Sequence, residues 1–187
     1  LIPGTVGAEP IQNIGAYGAE LKDVLHSLEA VELASGNKRQ FSKEDCGFGY
    51  RNSVFKQQEK GRWCITSVTL RLAHKPEVNL SYQTLSDWLE DQGISEPSIR
   101  QVSDAVIAIR RSKLPDPSQI GNAGSFFKNP VLSPSEYEAM KGEWGSVPAF
   151  NLEDGNVKVP AGWLIDKAGW RGHSEQRVGT YQHQALV

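Results

Sequence analysis

The sequence of 187 residues carries a formal net charge of −2 and a hydrophobic fraction of 39%. Its 20 basic residues are scattered rather than clustered, which argues against the basic face that duplex-binding proteins use. No run of about 18 apolar residues occurs, and a membrane-spanning helix needs about that length. The composition predicts one or two packed domains with neither a nucleic-acid nor a membrane partner.

The cysteine and histidine pattern bears on metal and disulfide chemistry. Cys46 and Cys64 have no C-x-x-C spacing, and the four histidines form no metal-ligand pattern with them. We predict two reduced cysteines in the core, in preference to a disulfide, and no bound metal.

The first eighteen residues contain four glycines and two prolines. Helices and strands do not tolerate so many breakers in a short stretch. We predict an ordered loop with a function.

The region that follows is rich in strand signals. Residues 28–33 lead into the turn sequence Ala34-Ser35-Gly36-Asn37, and a second strand through Phe41 would complete a hairpin. Between Cys64 and Leu72 the even positions are mostly apolar, which predicts a half-buried strand.

An amphipathic helix is predicted after Ser95, where apolar residues recur at three- and four-residue spacing. These residues are Ile99, Val102, Val106 and Ile109. The double-proline stretch 114–117 ends the helix and marks a candidate boundary between residues 1–114 and 115–187.

Beyond the boundary, Ser133-Pro134-Ser135-Glu136 combines a capping box with proline at the first helical position. It predicts the start of a helix. Val157 and Val159 indicate a strand, and residues 161–168 a short helix stopped by Gly169. The sequence ends in an apolar segment, 184–187, so we expect the natural chain to continue.

A glycine-containing segment, GNAGSFFKNP at 121–130, is the strongest candidate for chemistry. Its glycines allow close approach of the backbone to a ligand, and Lys128 and Asn129 lie near Ser125. Ser125 is not part of a G-x-S-x-G elbow, and the chain has no phosphate-binding loop of the common types. The residues alone leave two interpretations of Ser125 open: a turn residue that bonds its own backbone, or a group that acts on a ligand.

Four segments, in order, resemble the motif set of the UDP-N-acetylenolpyruvoylglucosamine reductases. They are IPGTVGAEPIQNIGAYG, GYRNSVFK, RRSKLPDP and GNAGSFFKNP, and the resemblance extends along essentially the whole chain. It implies an α+β chain, with the second part of a two-subdomain FAD-binding domain at 1–114 and a substrate-binding domain at 115–187.

The resemblance also implies a reaction. NADPH reduces FAD, and the reduced flavin gives hydride to the β carbon of UDP-N-acetylglucosamine enolpyruvate. The product, UDP-N-acetylmuramate, is a precursor of peptidoglycan, so the parent enzyme serves cell-wall synthesis and cell division in the bacterial cytoplasm.

By resemblance, Ser125 is the proton donor to the α carbon and Arg51 is the partner of the enolpyruvyl carboxylate. The residues that resemble other substrate contacts are Tyr50, Tyr82, Lys113 and Asn129, the last three for the diphosphate. Those that resemble FAD contacts are Gly7, Ala8, Pro10, Ile11, Asn13 and Gly15, through backbone atoms, together with Arg110. From the residues alone, Arg51 could be a surface cation, Tyr82 a buried structural residue and Arg110 a helix C-terminal cation.

The family also has an N-terminal stretch with a Gly/Ser phosphate loop, and a catalytic glutamate beyond the position of Val187. The resemblance therefore implies a chain truncated at both ends, inactive by itself and poor at retaining FAD, from a parent that is monomeric. The alternatives are a non-catalytic UDP-sugar binding module and another FAD-dependent sugar oxidoreductase.

Overall fold

The computed structural model describes residues 5–75 and 77–187. The chain divides into two compact units, Leu1–Ile109 and Arg110–Val187. Both contain helices together with antiparallel strands. The predicted α+β class is confirmed.

The first unit begins with a 3₁₀ helix at Val6–Gln12 and a small hairpin, β1 (Gly15–Ala16) with β2 (Ala19–Glu20). The prediction that residues 1–18 form no regular structure is wrong from Val6 onward, and residues 1–4 lie outside the described part of the chain. A 3₁₀ helix accepts Pro10 because proline's fixed φ suits it.

The turn between β1 and β2 favours a glycine at position 18. Tyr17 and Gly18, the two residues between β1 and β2, have φ of 53° and 80°. A two-residue hairpin loop of the I′ type requires positive φ at both positions. Gly18 meets that requirement without steric cost.

The main sheet of this unit has three antiparallel strands in the order β4-β3-β5. A single helical turn, α1 (Leu21–Val24), leads into β3 (Leu25–Glu32), which pairs with β4 (Lys38–Ser42) and β5 (Trp63–Leu70). The predicted hairpin and the predicted third strand are confirmed.

A bulge in β5 decides which of its side chains face the core. Two consecutive residues of β3 pair with Ile65 and Ser67, which leaves Thr66 as the extra residue. Because of it, an odd position before the bulge, Ile65, and an even position after it, Val68, both pack on the core. Cys64 is exposed, so the prediction that it is a core residue is wrong.

In the described part of the first unit, the buried hydrophobic residues form two clusters. Helices α2 (Gln83–Asp91) and α3 (Ile99–Lys113) build the second cluster, and α3 confirms the predicted helix. The first cluster consists of Leu21, Leu25, Leu28, Ala30, Phe41, Cys46 and Phe55. The second consists of Leu85, Leu89, Ala105 and Ile109.

The second unit also has a three-stranded antiparallel sheet, in the order β6-β8-β7. Its strands are β6 (Val131–Leu132), β7 (Phe150–Asn151) and β8 (Val157–Lys158). Helix α4 (Pro134–Trp144) starts as predicted, because the Ser133 Oγ accepts from the Glu136 N–H at 3.3 Å and the Ser133 N–H donates to the Glu136 carboxylate at 2.7 Å.

Helix α5 (Ala161–Lys167) ends before Gly169, whose φ is 78°. This confirms the predicted short helix. A hairpin follows, β9 (Ser174–Glu175) with β10 (Val178–Gly179). The hydrophobic residues buried in this unit are all small: Val147, Val157, Val159, Ala161, Ala185 and Val187.

Candidate functional site

Arg51 lies in a tight turn that the backbone holds at both ends. Gly49 and Asn52 exchange two backbone hydrogen bonds, at 3.1 and 3.2 Å. Between them Arg51 has a φ of 51°, a left-handed conformation that costs a non-glycine residue about 1–3 kcal/mol. The Lys56 ammonium donates to the Arg51 carbonyl at 3.1 Å. The turn thereby fixes the direction in which the Arg51 side chain leaves the backbone.

The Arg51 guanidinium is also fixed. It donates to the carbonyl oxygen of Asn13 at 3.4 Å and to that of Gly15. Its central carbon lies 5.4 Å from the centre of the Tyr50 ring. The structure therefore brings together four residues singled out from the sequence. A guanidinium has five N–H groups, so two carbonyl contacts leave donors for a carboxylate.

The side chain of Asn13 is completely buried, and its φ is 44°. Its amide nitrogen donates to the Glu20 carboxylate and to the Gly49 carbonyl, both at 3.1 Å. Its amide oxygen accepts from the Lys22 N–H at 2.9 Å. The side chain is therefore used inside the protein, and only backbone atoms of Asn13 could face a ligand.

At two positions of the opening segment, Gly7 and Gly15, the surrounding backbone leaves little room for a side chain. A Cβ on Gly7 would lie 3.2 Å from the Ile65 carbonyl oxygen, so the 3₁₀ helix approaches β5 closely there. A Cβ on Gly15 would lie 2.7 Å from the Ala19 carbonyl oxygen, inside the hairpin. Close packing within the protein accounts for both glycines without a ligand.

The 3₁₀ helix has one buried and one open side. Pro10 is buried, whereas Ala8 is exposed and Ile11 is 40% exposed. The Ser53 hydroxyl, itself buried, donates to the Ile11 carbonyl at 2.7 Å. The open side thus presents the small side chain of Ala8 together with Ile11 and the polar Gln12.

Tyr82 directly precedes α2 and is 42% exposed, so it is not a buried structural residue. Its ring contacts that of Tyr17 edge to face, with centroids 5.0 Å apart. The Asn79 amide donates to the Gly18 carbonyl at 3.1 Å. The segment that carries Tyr82 is therefore held against the β1–β2 hairpin.

In the second unit, Ser125 lies on an exposed turn. Gly124 before it has a φ of 67°, and its N–H donates to the Asn122 side chain at 3.0 Å. Phe126 after it donates its N–H to the Leu186 carbonyl at 3.2 Å. The turn is thus anchored on both sides, with the hydroxyl at its exposed point.

Asn129 lies at the end of the same segment and caps α5. Its amide oxygen accepts from the Ala161 N–H at 2.9 Å, which directs the amide nitrogen away from the helix.

Arg110 and Lys113 lie in the last turn of α3, where Arg110 is half-buried and Lys113 is exposed. All four candidate residues of the second unit are thereby located on its loops and on the end of one helix.

A groove of about 530 Å³ lies in the second unit beside the Ser125 turn. Its walls are mainly apolar and include Phe126, Phe127 and Trp170, with Lys128. Neither Ser125 nor Asn129 lines it. Trp170, which lines the groove, was not among the residues singled out from the sequence.

The part of the chain that the structure describes contains neither a metal-binding group of side chains nor a membrane-spanning helix. Among residues 5–75 and 77–187, no group of three His, Cys, Asp or Glu side chains could hold a metal ion. Within the same residues, no helix has the length and apolarity that a membrane span requires.

Comparison with known proteins gives consistent matches. A family model described as UDP-N-acetylenolpyruvoylglucosamine reductase, C-terminal domain, matches residues 116–187. Curated proteins named UDP-N-acetylenolpyruvoylglucosamine reductase match all 187 residues, at 50% identity in Pseudomonas aeruginosa and 48% in Porphyromonas gingivalis. In both cases the chain spans 55% of the relative's length.

One solved structure supports the fold. The crystal structure of UDP-N-acetylenolpyruvylglucosamine reductase from Thermus caldophilus aligns with 99% of this chain and 49% of its own, with a TM-score of 0.59 and 23% sequence identity. At that identity, the likeness bears on architecture alone.

Proposed function

We propose that this chain is part of a UDP-N-acetylenolpyruvoylglucosamine reductase, and that it forms the part of the enzyme that binds the enolpyruvyl substrate and one side of the FAD. Identity of 50% over all 187 residues supports the proposal. Because the chain spans about half the length of these relatives, the activity is proposed for a protein that contains it.

The proposed reaction is the reduction of UDP-N-acetylglucosamine enolpyruvate to UDP-N-acetylmuramate, with NADPH as the reductant of FAD. The bound flavin would supply hydride to the β carbon of the enolpyruvyl group. The protein must then hold the carboxylate, where negative charge develops, and deliver a proton to the α carbon. Residues of this chain are suited to both tasks.

The geometry of Arg51 is the observation that carries the proposal. Two carbonyl contacts and a φ of 51° hold its guanidinium in one orientation. A planar fork held in this way suits a bidentate contact with a carboxylate. Because the donors are already oriented, little conformational entropy is lost when the substrate binds.

Ser125 is proposed to deliver the proton. A hydroxyl is a weak acid, but an enolate is a strong enough base for the transfer if neighbouring donors stabilise the alkoxide. Its exposed position on an anchored turn leaves the Oγ open to a ligand. The proton leaves the Ser125 Oγ and forms the new bond at the α carbon.

The remaining assignments complete the proposal. Tyr50, Tyr82, Lys113 and Asn129 would contact the substrate, where an ammonium, an amide and a phenol suit the anionic oxygens of the diphosphate. The flavin would meet the opening segment from Gly7 to Gly15, as well as Arg110. NADPH is the proposed second cofactor and the cytoplasm the proposed location, since the substrate is a precursor in peptidoglycan synthesis.

The test uses the Pseudomonas aeruginosa reductase with residues 1–187 of this chain in place of its matching segment. We expect NADPH oxidation that depends on the enolpyruvyl substrate, measured as loss of NADPH absorbance, with the unaltered reductase as the control. Ser125→Ala should lower kcat by about 10²- to 10⁴-fold while the yellow flavin is retained. A folded, flavin-containing chimera that ignores the substrate would contradict the proposal.

A further inference from the structure

Buried polar side chains are few in the first unit. Among residues 5–75 and 77–187, the buried polar residues are Asn13, Ser27 and Ser53. Burying an amide or a hydroxyl costs free energy unless its groups are hydrogen-bonded. Asn13 and Ser53 each make one hydrogen bond between the opening segment and the segment that carries Arg51.

The bonds of Asn13 reach three different places in the fold. Its amide nitrogen reaches Glu20 in the β1–β2 hairpin and Gly49 in the Arg51 turn, and its amide oxygen reaches the Lys22 N–H in α1. One buried side chain therefore fixes the hairpin, the helical turn after it and the Arg51 turn with respect to one another.

The contact with the Arg51 turn is reciprocal. The Asn13 side chain donates to the Gly49 carbonyl, and the Arg51 side chain donates back to the Asn13 carbonyl at 3.4 Å. The second acceptor of Arg51, the Gly15 carbonyl, lies two residues further along the same chain. The positions of both acceptors therefore depend on the conformation that the Asn13 amide stabilises.

We propose that Asn13 is a positioning residue for Arg51. Its buried amide holds the backbone at residues 13–15 so that two carbonyls orient the guanidinium, and the remaining N–H donors face the ligand carboxylate. Ser53 supports the same arrangement through the Ile11 carbonyl. The identity of that ligand, an enolpyruvyl carboxylate, rests on the proposed function; the orientation of Arg51 does not.

Two variants of Asn13 distinguish the role of its side-chain amide from that of its backbone conformation. Asn13→Gly removes the side chain yet accepts a φ of 44° without steric cost. Asn13→Asp keeps an acceptor for the Lys22 N–H but removes both donors. Ser27→Ala is the matched control, because it removes a different buried hydroxyl of the same unit, one that accepts from Gln40 at 3.3 Å.

The first measurement is side-chain NMR of the 187-residue chain with ¹⁵N-labelled arginine. The Arg51 signal is assigned by its loss in Arg51→Lys. We expect a distinct signal with slow rotation of the guanidinium in the wild type and in Ser27→Ala. In Asn13→Gly and Asn13→Asp it should move to the averaged position of exposed arginines. If it is unchanged in either folded variant, the inference is overturned.

The second measurement is calorimetry of the chimeric Pseudomonas aeruginosa reductase that carries residues 1–187 of this chain, with UDP-N-acetylglucosamine enolpyruvate as the ligand. Loss of orientation at Arg51 should weaken binding by about tenfold in Asn13→Gly, equal to about 1.4 kcal/mol, and leave Ser27→Ala unaffected. Equal affinity of the wild type and Asn13→Gly would contradict the positioning role of Asn13 and leave the proposed function standing. If the chimera with the wild-type segment does not bind while the Arg51 signal still depends on Asn13, the proposed function fails and the positioning role stands.

Discussion

Arg51 in the first unit is fixed by two backbone carbonyls and an aromatic ring, whereas Ser125 in the second lies at the exposed point of a turn. The difference suits the two proposed tasks. A group that binds a carboxylate gains affinity when its donors are already oriented. The contacts of a proton donor often become short and well aligned only when the substrate is bound.

The hydrophobic side chains show the same contrast. In the first unit, Phe41, Leu28, Leu85 and Leu89 are almost completely buried. In the described part of the second unit, buried hydrophobic residues are valine and alanine only, while Phe127 is 60% exposed. Buried apolar area is the main source of stability, so the first unit should contribute most of it.

The largest expected effect tests this contrast in stability directly. Phe41 is 2% exposed, and its ring lies 5.1 Å from the rings of Phe55 and Trp63. Phe41→Ala should lower the free energy of unfolding by about 3–5 kcal/mol. Phe127→Ala, at an exposed position, should change it by less than about 0.5 kcal/mol. Urea unfolding measures both, and equal effects would show that the contrast is wrong.

A second prediction tests the fixed guanidinium. Arg51→Lys keeps the positive charge but cannot bond two carbonyls and a carboxylate in one plane. We expect substrate affinity to fall by about 30- to 150-fold, or about 2–3 kcal/mol. Arg100→Lys is the control, because the side chain of Arg100 is 86% exposed. Calorimetry that finds the two variants alike would remove Arg51 from the site.

A smaller effect is expected in the second unit, at the start of α4. The Ser133 hydroxyl accepts from the Glu136 N–H, so Ser133→Ala leaves that donor without its cap. The expected cost is about 1 kcal/mol. Ser133→Thr keeps the hydroxyl and should recover most of the loss. Unfolding curves that do not separate the two variants would argue against the cap.

An effect that appears only at high pH concerns a thiol in the first unit. Burial, aided by Asp45 and Glu44, raises the pKa of the Cys46 thiol from 9.0 to about 12. Below pH 9.0 the thiol is protonated in both states. Between pH 9.0 and about 12 only the unfolded chain ionises, so the free energy of unfolding should decrease as the pH rises. Cys46→Ala should make the plot of unfolding free energy against pH flatter in this range. Identical plots for the variant and the wild type would contradict the raised pKa.

Local signals in the sequence were sufficient for several elements. The turn after residue 33, the capping box at Ser133 and the spacing of apolar residues in α3 each act within a few residues, and each was confirmed. Helix α2 was not predicted, although Leu85 and Leu89 lie four residues apart and mark its buried face.

Long-range pairing accounts for what the sequence did not show. Asn13 was interpreted as a backbone contact of FAD, and its buried side chain depends on Gly49, 36 residues away. Cys64 was predicted to lie in the core but is exposed, and the alternation in β5 is interrupted at Thr66, where only the pairing with β3 reveals an extra residue. The roles of Ser125 and Arg51 came from the family motifs and stay predictions.

The bulge at Thr66 has a consequence for how this strand can vary in length. Removing Thr66 would restore strict alternation and leave Ile65 and Val68 on the same side of the sheet. The Thr66 hydroxyl donates to the Glu29 carbonyl at 3.1 Å, so the extra residue is accommodated at the sheet surface. Homologous proteins one residue shorter at this point could therefore share the same hydrophobic core.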